Sequence, residues 1–145
     1  MILVLFGQPC SGKSTIANEF PSYRNIDGDK LRELFVNKDY SREGRIRNLN
    51  RASDIAHYLH SHGNNIVLSL VYPYKETRDY LNSLNENVVW VYLTYDEERG
   101  RENFHAKDFE APTEEHILHL NTSELTLNEC VNKIATYVAE KDTRN

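Results

Sequence analysis

Residues 7–15 read Gly-Gln-Pro-Cys-Ser-Gly-Lys-Ser-Thr and follow directly on the apolar run Ile2, Leu3, Val4, Leu5, Phe6. The segment fits the phosphate-binding pattern G-x-x-x-x-G-K-[ST] in residue types, in spacing and in context. A short, continuous, β-prone run before it suits a strand buried on both faces of a parallel sheet. Gly7 and Gly12 let the backbone turn tightly, so that successive N–H groups can point inward at phosphate oxygens. The helix expected to begin near Lys13 brings its positive end to the same spot. Lys13 is then expected to reach the β and γ phosphates of a nucleoside triphosphate, and the Ser14 hydroxyl to ligate the magnesium ion that the nucleotide carries. The candidate nucleotide-binding residues here are Gly7, Gln8, Pro9, Cys10, Ser11, Gly12, Lys13, Ser14 and Thr15.

A chain of 145 residues has the length of one domain with a real core, and we read 1–145 as such a unit. A net charge of −5 with interspersed signs argues against a protein that coats nucleic acid, which needs clustered Lys and Arg. Two cysteines, Cys10 and Cys130, make no disulfide framework and suit a reducing compartment. With strand residues from position 2 and no apolar run of about 18 residues, neither a signal peptide nor a membrane span is expected. The expected location is the cytoplasm.

Along the chain, apolar runs and helical periodicities alternate. The first helix is expected to run to Phe20 and stop at Pro21. A brief strand over 23–26 ends in Asp27-Gly28-Asp29, which places two carboxylates at the carboxyl end of a strand, where ligands bind in open α/β sheets. A short helix follows around Leu31, Leu34 and Phe35. Ser41 is a plausible N-cap for a helix to about 61, with Ile46, Leu49, Ala52, Ala56 and Leu59 as its apolar stripe. Arg42, Arg45, Arg47, Asn48 and Arg51 in its first turns form either a solvated basic face or an anion-binding wall. His57, His60 and His62 near its end lack a carboxylate or cysteine to complete a metal set. A strand is expected over 65–70, a helix over 75–84, a strand over 88–94 and a helix over 96–103 carrying Arg99 and Arg101. From Phe104 to Glu115 the periodicity disappears, which reads as a loop on the side where a short lid, at about 103–115, would close over nucleotide. A strand over 117–121 precedes the capping box Thr126 to Glu129 and a last helix with Leu127, Cys130, Val131, Ile134, Ala135 and Val138 in register. Residues 141–145 are expected to fray. The fold class is α/β: a three-layer α/β/α sandwich with a five-stranded parallel sheet, like the P-loop nucleoside kinases.

A phosphate loop alone leaves open a kinase, a GTPase switch and a motor-type ATPase. Asn37-Lys38-Asp39 lacks the spacing of a guanine-binding motif and does not follow a buried strand. The strands ending near Leu70 and Tyr95 do not run into an Asp of the motor kind. The strand-end carboxylates are Asp27 and Asp29, which can polarise an acceptor hydroxyl or steady magnesium; Asp29 could equally cap the next helix. Arginines, Arg101 among them, can join Lys13 in countering charge on the transferred phosphoryl group.

Taken in order, these segments resemble the adenylylsulfate kinase family, which uses ATP to phosphorylate the 3′-hydroxyl of adenosine 5′-phosphosulfate. The segments are Asp27-Gly28-Asp29-Lys30-Leu31-Arg32, Asn37-Lys38-Asp39-Tyr40-Ser41, Arg45-Ile46-Arg47-Asn48-Leu49-Asn50-Arg51, Tyr72-Pro73-Tyr74-Lys75, Phe109-Glu110-Ala111-Pro112 and Leu120-Asn121-Thr122-Ser123-Glu124-Leu125. The resemblance implies that Lys13, Asp27 and Asp29 are catalytic, that Ser14 and Asp27 organise magnesium, and that Arg32, Arg45 and Asn48 hold the phosphosulfate and ribose. It further implies that Tyr40 and Phe104 sandwich the adenine and that Tyr72, Pro73 and Lys107 complete the acceptor site. Relatives also admit a homodimer. The family's long basic lid is cut to 103–111 here, with Lys107 its only lysine, Tyr72 replaces a Ser, and Lys30 replaces an Asn. These departures leave open a kinase for another small acceptor, or a nucleotide-binding module without transferase activity.

Overall fold

The computed structural model describes residues 1–143. Strand β1 (Ile2–Phe6) lies at the centre of a five-stranded, all-parallel sheet in the order β2-β3-β1-β4-β5, where β2 is Arg24–Asp27, β3 Ile66–Ser69, β4 Val88–Thr94 and β5 Leu118–Asn121. All five residues of β1 are fully buried. Their side chains alternate between two cores: Ile2, Val4 and Phe6 pack with α3 (Arg42–Ser61) and α4 (Lys75–Leu84), while Leu3 and Leu5 pack with α1 (Lys13–Ala17) and α5 (Leu127–Thr143). A strand buried on both faces cannot alternate apolar with polar residues, which is why this run is continuous. No helix among the described residues is long and apolar enough to cross a membrane.

Local chemistry explains most element ends. Ser41 caps α3 by accepting from Gly44 N, and Thr126 and Glu129 satisfy each other's amides before α5. On α5, Cys130, Ile134 and Val138 are buried, whereas Leu127 is exposed. Helix α5 runs through Thr143, into the segment expected to fray, and Arg144 and Asn145 lie outside the described residues.

Three expectations are corrected. The first helix is shorter, ending at Ala17, and tight bonds from Glu19 N to Ile16 O and Phe20 N to Ala17 O lead into the turn at Pro21. Strand β2 extends to Asp27, whose carboxylate, rather than that of Asp29, caps α2 (Gly28–Leu34) by accepting from the amides of Asp29 and Lys30. The helix expected over 96–103 is absent; a single 3₁₀ turn, Glu102–Phe104, takes its place. Gly100 and Arg101 both adopt left-handed backbone, at φ 88° and 57°, and two such residues in succession cannot continue a right-handed helix. The Glu102 carboxylate holds this bend by accepting from the amides of Arg99 and Gly100.

Gly44, buried in the first turn of α3, faces Asp39, and a Cβ there would lie 2.2 Å from Asp39 O and 2.4 Å from its Cγ. Asp39 cannot retreat freely, because its carboxylate holds Ser41 N and the Arg47 guanidinium. Gly44→Ala gains about 1 kcal/mol of helix propensity but meets overpacking worth about 1–3 kcal/mol. We expect a net destabilisation, read as a lower urea midpoint with an unchanged slope; a midpoint at or above wild type would show that the 37–44 turn yields.

Candidate active site

The phosphate loop leaves the carboxyl end of β1 with Gly7 at φ 151° and Gly12 at φ 104°. A Cβ at Gly7 would stand 2.3 Å from the Leu93 carbonyl, so glycine is required by close approach to β4 as well as by backbone conformation. Each carbonyl from Gly7 to Ser11 has a donor. Lys13 Nζ donates to Gly7 O at 3.0 Å and Gln8 O at 2.9 Å, and Ser11 N also donates to Gln8 O. The Tyr95 hydroxyl donates to Pro9 O at 2.7 Å, Arg99 Nη1 to Cys10 O at 3.1 Å, and Thr122 Oγ1 to Ser11 O at 3.0 Å. Lys13 therefore lies folded against its own loop. Desolvation pushes its pKa down to about 8, opposed chiefly by the nearby Asp29.

A cavity runs from this loop to the basic side of α3. On its donor side lie Pro9, Cys10, Gly12, Lys13, Ser14 and Thr15; Gly7, Gln8 and Ser11 stand behind them as support. At its middle, Asp27 Oδ2 accepts from Ser14 Oγ at 2.9 Å, and Asp29 pairs with Arg101 Nη1 at 3.2 Å across the mouth. The far side carries Arg32, Tyr40, Arg45, Asn48, Pro73 and Phe104. Strand β2 thus delivers both carboxylates to the boundary between the two halves, as the strand-end position predicts.

The basic helix turns out to serve both readings of its charge. Arg42 pairs with Glu76 at 2.6 Å, Arg47 pairs with Asp39 at 2.9 Å, and Arg51 lies over the Phe35 ring. Arg45 instead is buried and lines the cavity, donating from Nε to Tyr40 O at 3.0 Å and from Nη2 to Phe104 O at 2.9 Å. Asn48, 4% exposed, also lines the cavity, and its Oδ1 is buried with no protein partner. A buried acceptor left unpaired costs about 1–3 kcal/mol, so this atom calls for a donor from a ligand or water.

Other expected acceptor residues are placed differently. Tyr40 and Phe104 stand ring against ring, with centroids 5.1 Å apart at 58°. Arg32 lies over the Tyr40 ring at 4.0 Å, and Arg101 lies 5.2 Å from the Phe104 ring. A base between two rings needs about 7 Å, twice the ~3.5 Å carbon contact distance. The rings are therefore closed on each other. Tyr72 is not in the cavity: with φ 43° it turns into the core, donating to or accepting from Ser53 Oγ and standing edge-on to Trp90. Burial pushes its phenol pKa up. Lys107 is exposed and does not line the cavity, because the connection from β4 to β5 is fastened before and after it. Gln8 grips Ala106, while Tyr74 OH donates to Asp108 and Glu110 N donates to Pro73 O at 2.7 Å.

Sequence reasoning missed the parts played by Tyr95, Arg99 and Thr122. Their partners lie 86, 89 and 111 residues away in the chain, so no local pattern announces them. Two of the histidines near the end of α3 have partners: His57 Nδ1 meets Asn85 Oδ1 at the end of α4, and His62 Nδ1 meets the Tyr58 carbonyl.

The loop, the strand-end carboxylates and the arginine-lined extension share one cavity on a P-loop α/β fold. The family model for adenylylsulphate kinase matches residues 1–110, and the chain belongs to that family. It is 29% identical to the cytidine diphosphoramidate kinase of Campylobacter jejuni, over 66% of this chain and 61% of that protein. It is also 29% identical to the adenylyl-sulfate kinase of Clostridium kluyveri, over 97% of this chain and 84% of that one. The chain thus spans about three-fifths of the first relative and most of the second. The Mycobacterium tuberculosis APS kinase, in complex with AMPPNP and APS, shares the fold with a TM-score of 0.78 at 17% identity, over 95% of this chain and 96% of that one.

The low Lys13 pKa has a measurable consequence. Triphosphate oxygens favour the protonated lysine and raise its pKa in the complex, so ATP affinity is expected to fall as pH rises through about 8. Binding above that pH should take up a proton. Calorimetry in buffers of different ionisation enthalpy reads both effects; an affinity flat across this range would show that Lys13 stays charged in the free protein.

Proposed function

We propose that the protein transfers the γ-phosphate of ATP to the 3′-hydroxyl of adenosine 5′-phosphosulfate. The observation that carries this reading is the single cavity that joins the phosphate loop to the Arg45 and Asn48 wall past Asp27 and Asp29. In-line phosphoryl transfer needs positioning and positive charge more than covalent chemistry. Lys13 turns from the loop carbonyls to the transferred phosphate, and Arg101 stands across the mouth from Asp29 to add a second positive charge. Asp27 and Asp29 orient the attacking hydroxyl, and one carboxylate takes its proton as the bond to the γ-phosphorus forms and ADP leaves. Asn48 Oδ1 accepts from a ribose hydroxyl, which relieves its unpaired state. Arg32 and Arg45 provide the charge that complements the phosphosulfate.

The oxygen pair Ser14 Oγ and Asp27 Oδ2, already 2.9 Å apart, has the hard-donor chemistry that suits magnesium. These two residues would hold the ion, which supplies charge neutralisation on the β and γ phosphate oxygens when bound.

A second acceptor is favoured by one specific feature. The closed Tyr40 and Phe104 pair leaves no slot of base thickness, and the chain's relatives include a kinase whose named acceptor is cytidine diphosphoramidate. A nucleotide acceptor whose base lies outside the ring pair fits this arrangement. Incubation with ATP, magnesium and each acceptor in turn separates the readings by ADP formed per acceptor supplied. Adenosine 5′-phosphosulfate is expected to drive turnover; turnover with cytidine diphosphoramidate alone would reassign the acceptor, and slow acceptor-independent hydrolysis would leave a nucleotide-binding module. Lys13→Ala is expected to lower the acceptor-dependent rate by on the order of 10² or more. A near-normal rate in that variant would refute the loop's role in transfer.

A further inference from the structure

Gln8 occupies a position that the phosphate-loop pattern leaves open to any residue type. Its backbone and its side chain face different partners. The backbone carbonyl accepts from Lys13 Nζ at 2.9 Å and from Ser11 N at 3.2 Å, so it belongs to the phosphate-binding turn. The side-chain amide pairs with the backbone of Ala106 in both directions: Nε2 donates to Ala106 O at 2.8 Å, and Ala106 N donates to Gln8 Oε1 at 2.9 Å. Ala106 is 3% exposed, so neither of its backbone groups has ready access to water as a substitute. A parallel strut runs beside this clasp, from Pro9 O through the Tyr95 hydroxyl to His105 Nε2 at 2.9 Å.

Two residues before Ala106 stands Phe104, the ring that closes on Tyr40, with its carbonyl held by Arg45. Hydrogen bonds, the short run of chain from Ala106 back to Phe104 and one ring contact therefore link the donor half of the cavity to the acceptor half: Lys13, Gln8, Ala106, Phe104 and Tyr40. A triphosphate in the loop changes the sharing of the three Lys13 Nζ donors, two of which go to the carbonyls of Gly7 and Gln8. Gln8 is where that change meets the far wall. We propose that Gln8 is a positioning residue that couples occupancy of the phosphate loop to the placement of Phe104, and so to acceptor binding. The coupling acts through Ala106 rather than through contact with the reacting atoms. This inference rests on the kinase reading above and extends it from the roles of single residues to communication between the two halves of the site.

The test uses the full chain and two variants. Gln8→Met keeps the length of the side chain and removes both bonds to Ala106. Gln8→Glu keeps an acceptor for Ala106 N and sets a carboxylate against Ala106 O. Amide hydrogen exchange over 104–108 is measured with and without a non-hydrolysable ATP analogue, which needs no acceptor. In the wild type the analogue is expected to slow exchange at these amides by about tenfold, within the usual range of coupling between sites. In Q8M that nucleotide-dependent slowing should vanish, and the acceptor KM at saturating ATP should rise by about tenfold. Q8E should retain part of the slowing. Should Q8M not fold by thermal melting, Q8E carries the same comparison. Nucleotide-dependent protection equal to wild type in the variant, or none in the wild type, overturns the inference. Protection that depends on Gln8, with no acceptor-driven turnover, would instead overturn the proposed reaction and leave the coupling standing.

Discussion

A loop that aims its N–H groups at a phosphate must aim its carbonyls elsewhere, and every one of those carbonyls needs a donor. In this protein the five carbonyls from Gly7 to Ser11 are met by Lys13, Ser11, Tyr95, Arg99 and Thr122. Three of those donors come from the ends of β4 and β5 or the bend just after β4, so the loop's shape is set by its neighbours in the sheet. The central strand β1, buried on both sides, gives the loop a fixed origin, and Gly7 lets it pass close under Leu93. Much of the remaining structure is arranged around that requirement.

On the acceptor side one guanidinium has a comparable place. Arg45 is buried, spans the carbonyls of Tyr40 and Phe104, and so fixes the distance between the start of α3 and the β4 to β5 connection. Burying a charge is costly unless its donors are satisfied, and here two backbone carbonyls accept from it. The connection itself is tied down at Ala106, Asp108 and Glu110. Through Arg101 and Phe104 it forms one wall of the cavity.

Comparison of particular elements explains what could be read in advance. Helix α4 and strand β4 have the expected bounds, and Ser41, Thr126 and Glu129 cap as their residue types predict. These features depend on neighbours three or four positions away. The expected helix over 96–103 failed because Arg101 takes a left-handed conformation beside Gly100, held by Glu102 and by the pair with Asp29 on another element. Tyr72 was expected at the acceptor and lies in the core, because its φ of 43° turns the ring toward Ser53 and Trp90. Among the arginines of α3, composition could not separate Arg45 from Arg42 and Arg47. Their partners are Phe104, Glu76 and Asp39, on three different parts of the fold.

By itself the sequence determined the phosphate loop, the strand that feeds it, the order of the five strands, and the delivery of Asp27 and Asp29 to a strand end. Hydrophobic period, glycine positions and capping residues act over a few residues, so these are written locally. Only the tertiary structure decided which donors hold the loop's carbonyls, that Tyr40 and Phe104 meet instead of standing apart, and that Gln8 reaches Ala106. Apart from the bonds that Lys13 and Ser11 make within the loop, each of those contacts joins segments about 60 to 110 residues apart. Their geometry follows from how the sheet brings the ends of β1, β4 and β5 together, which no local pattern encodes.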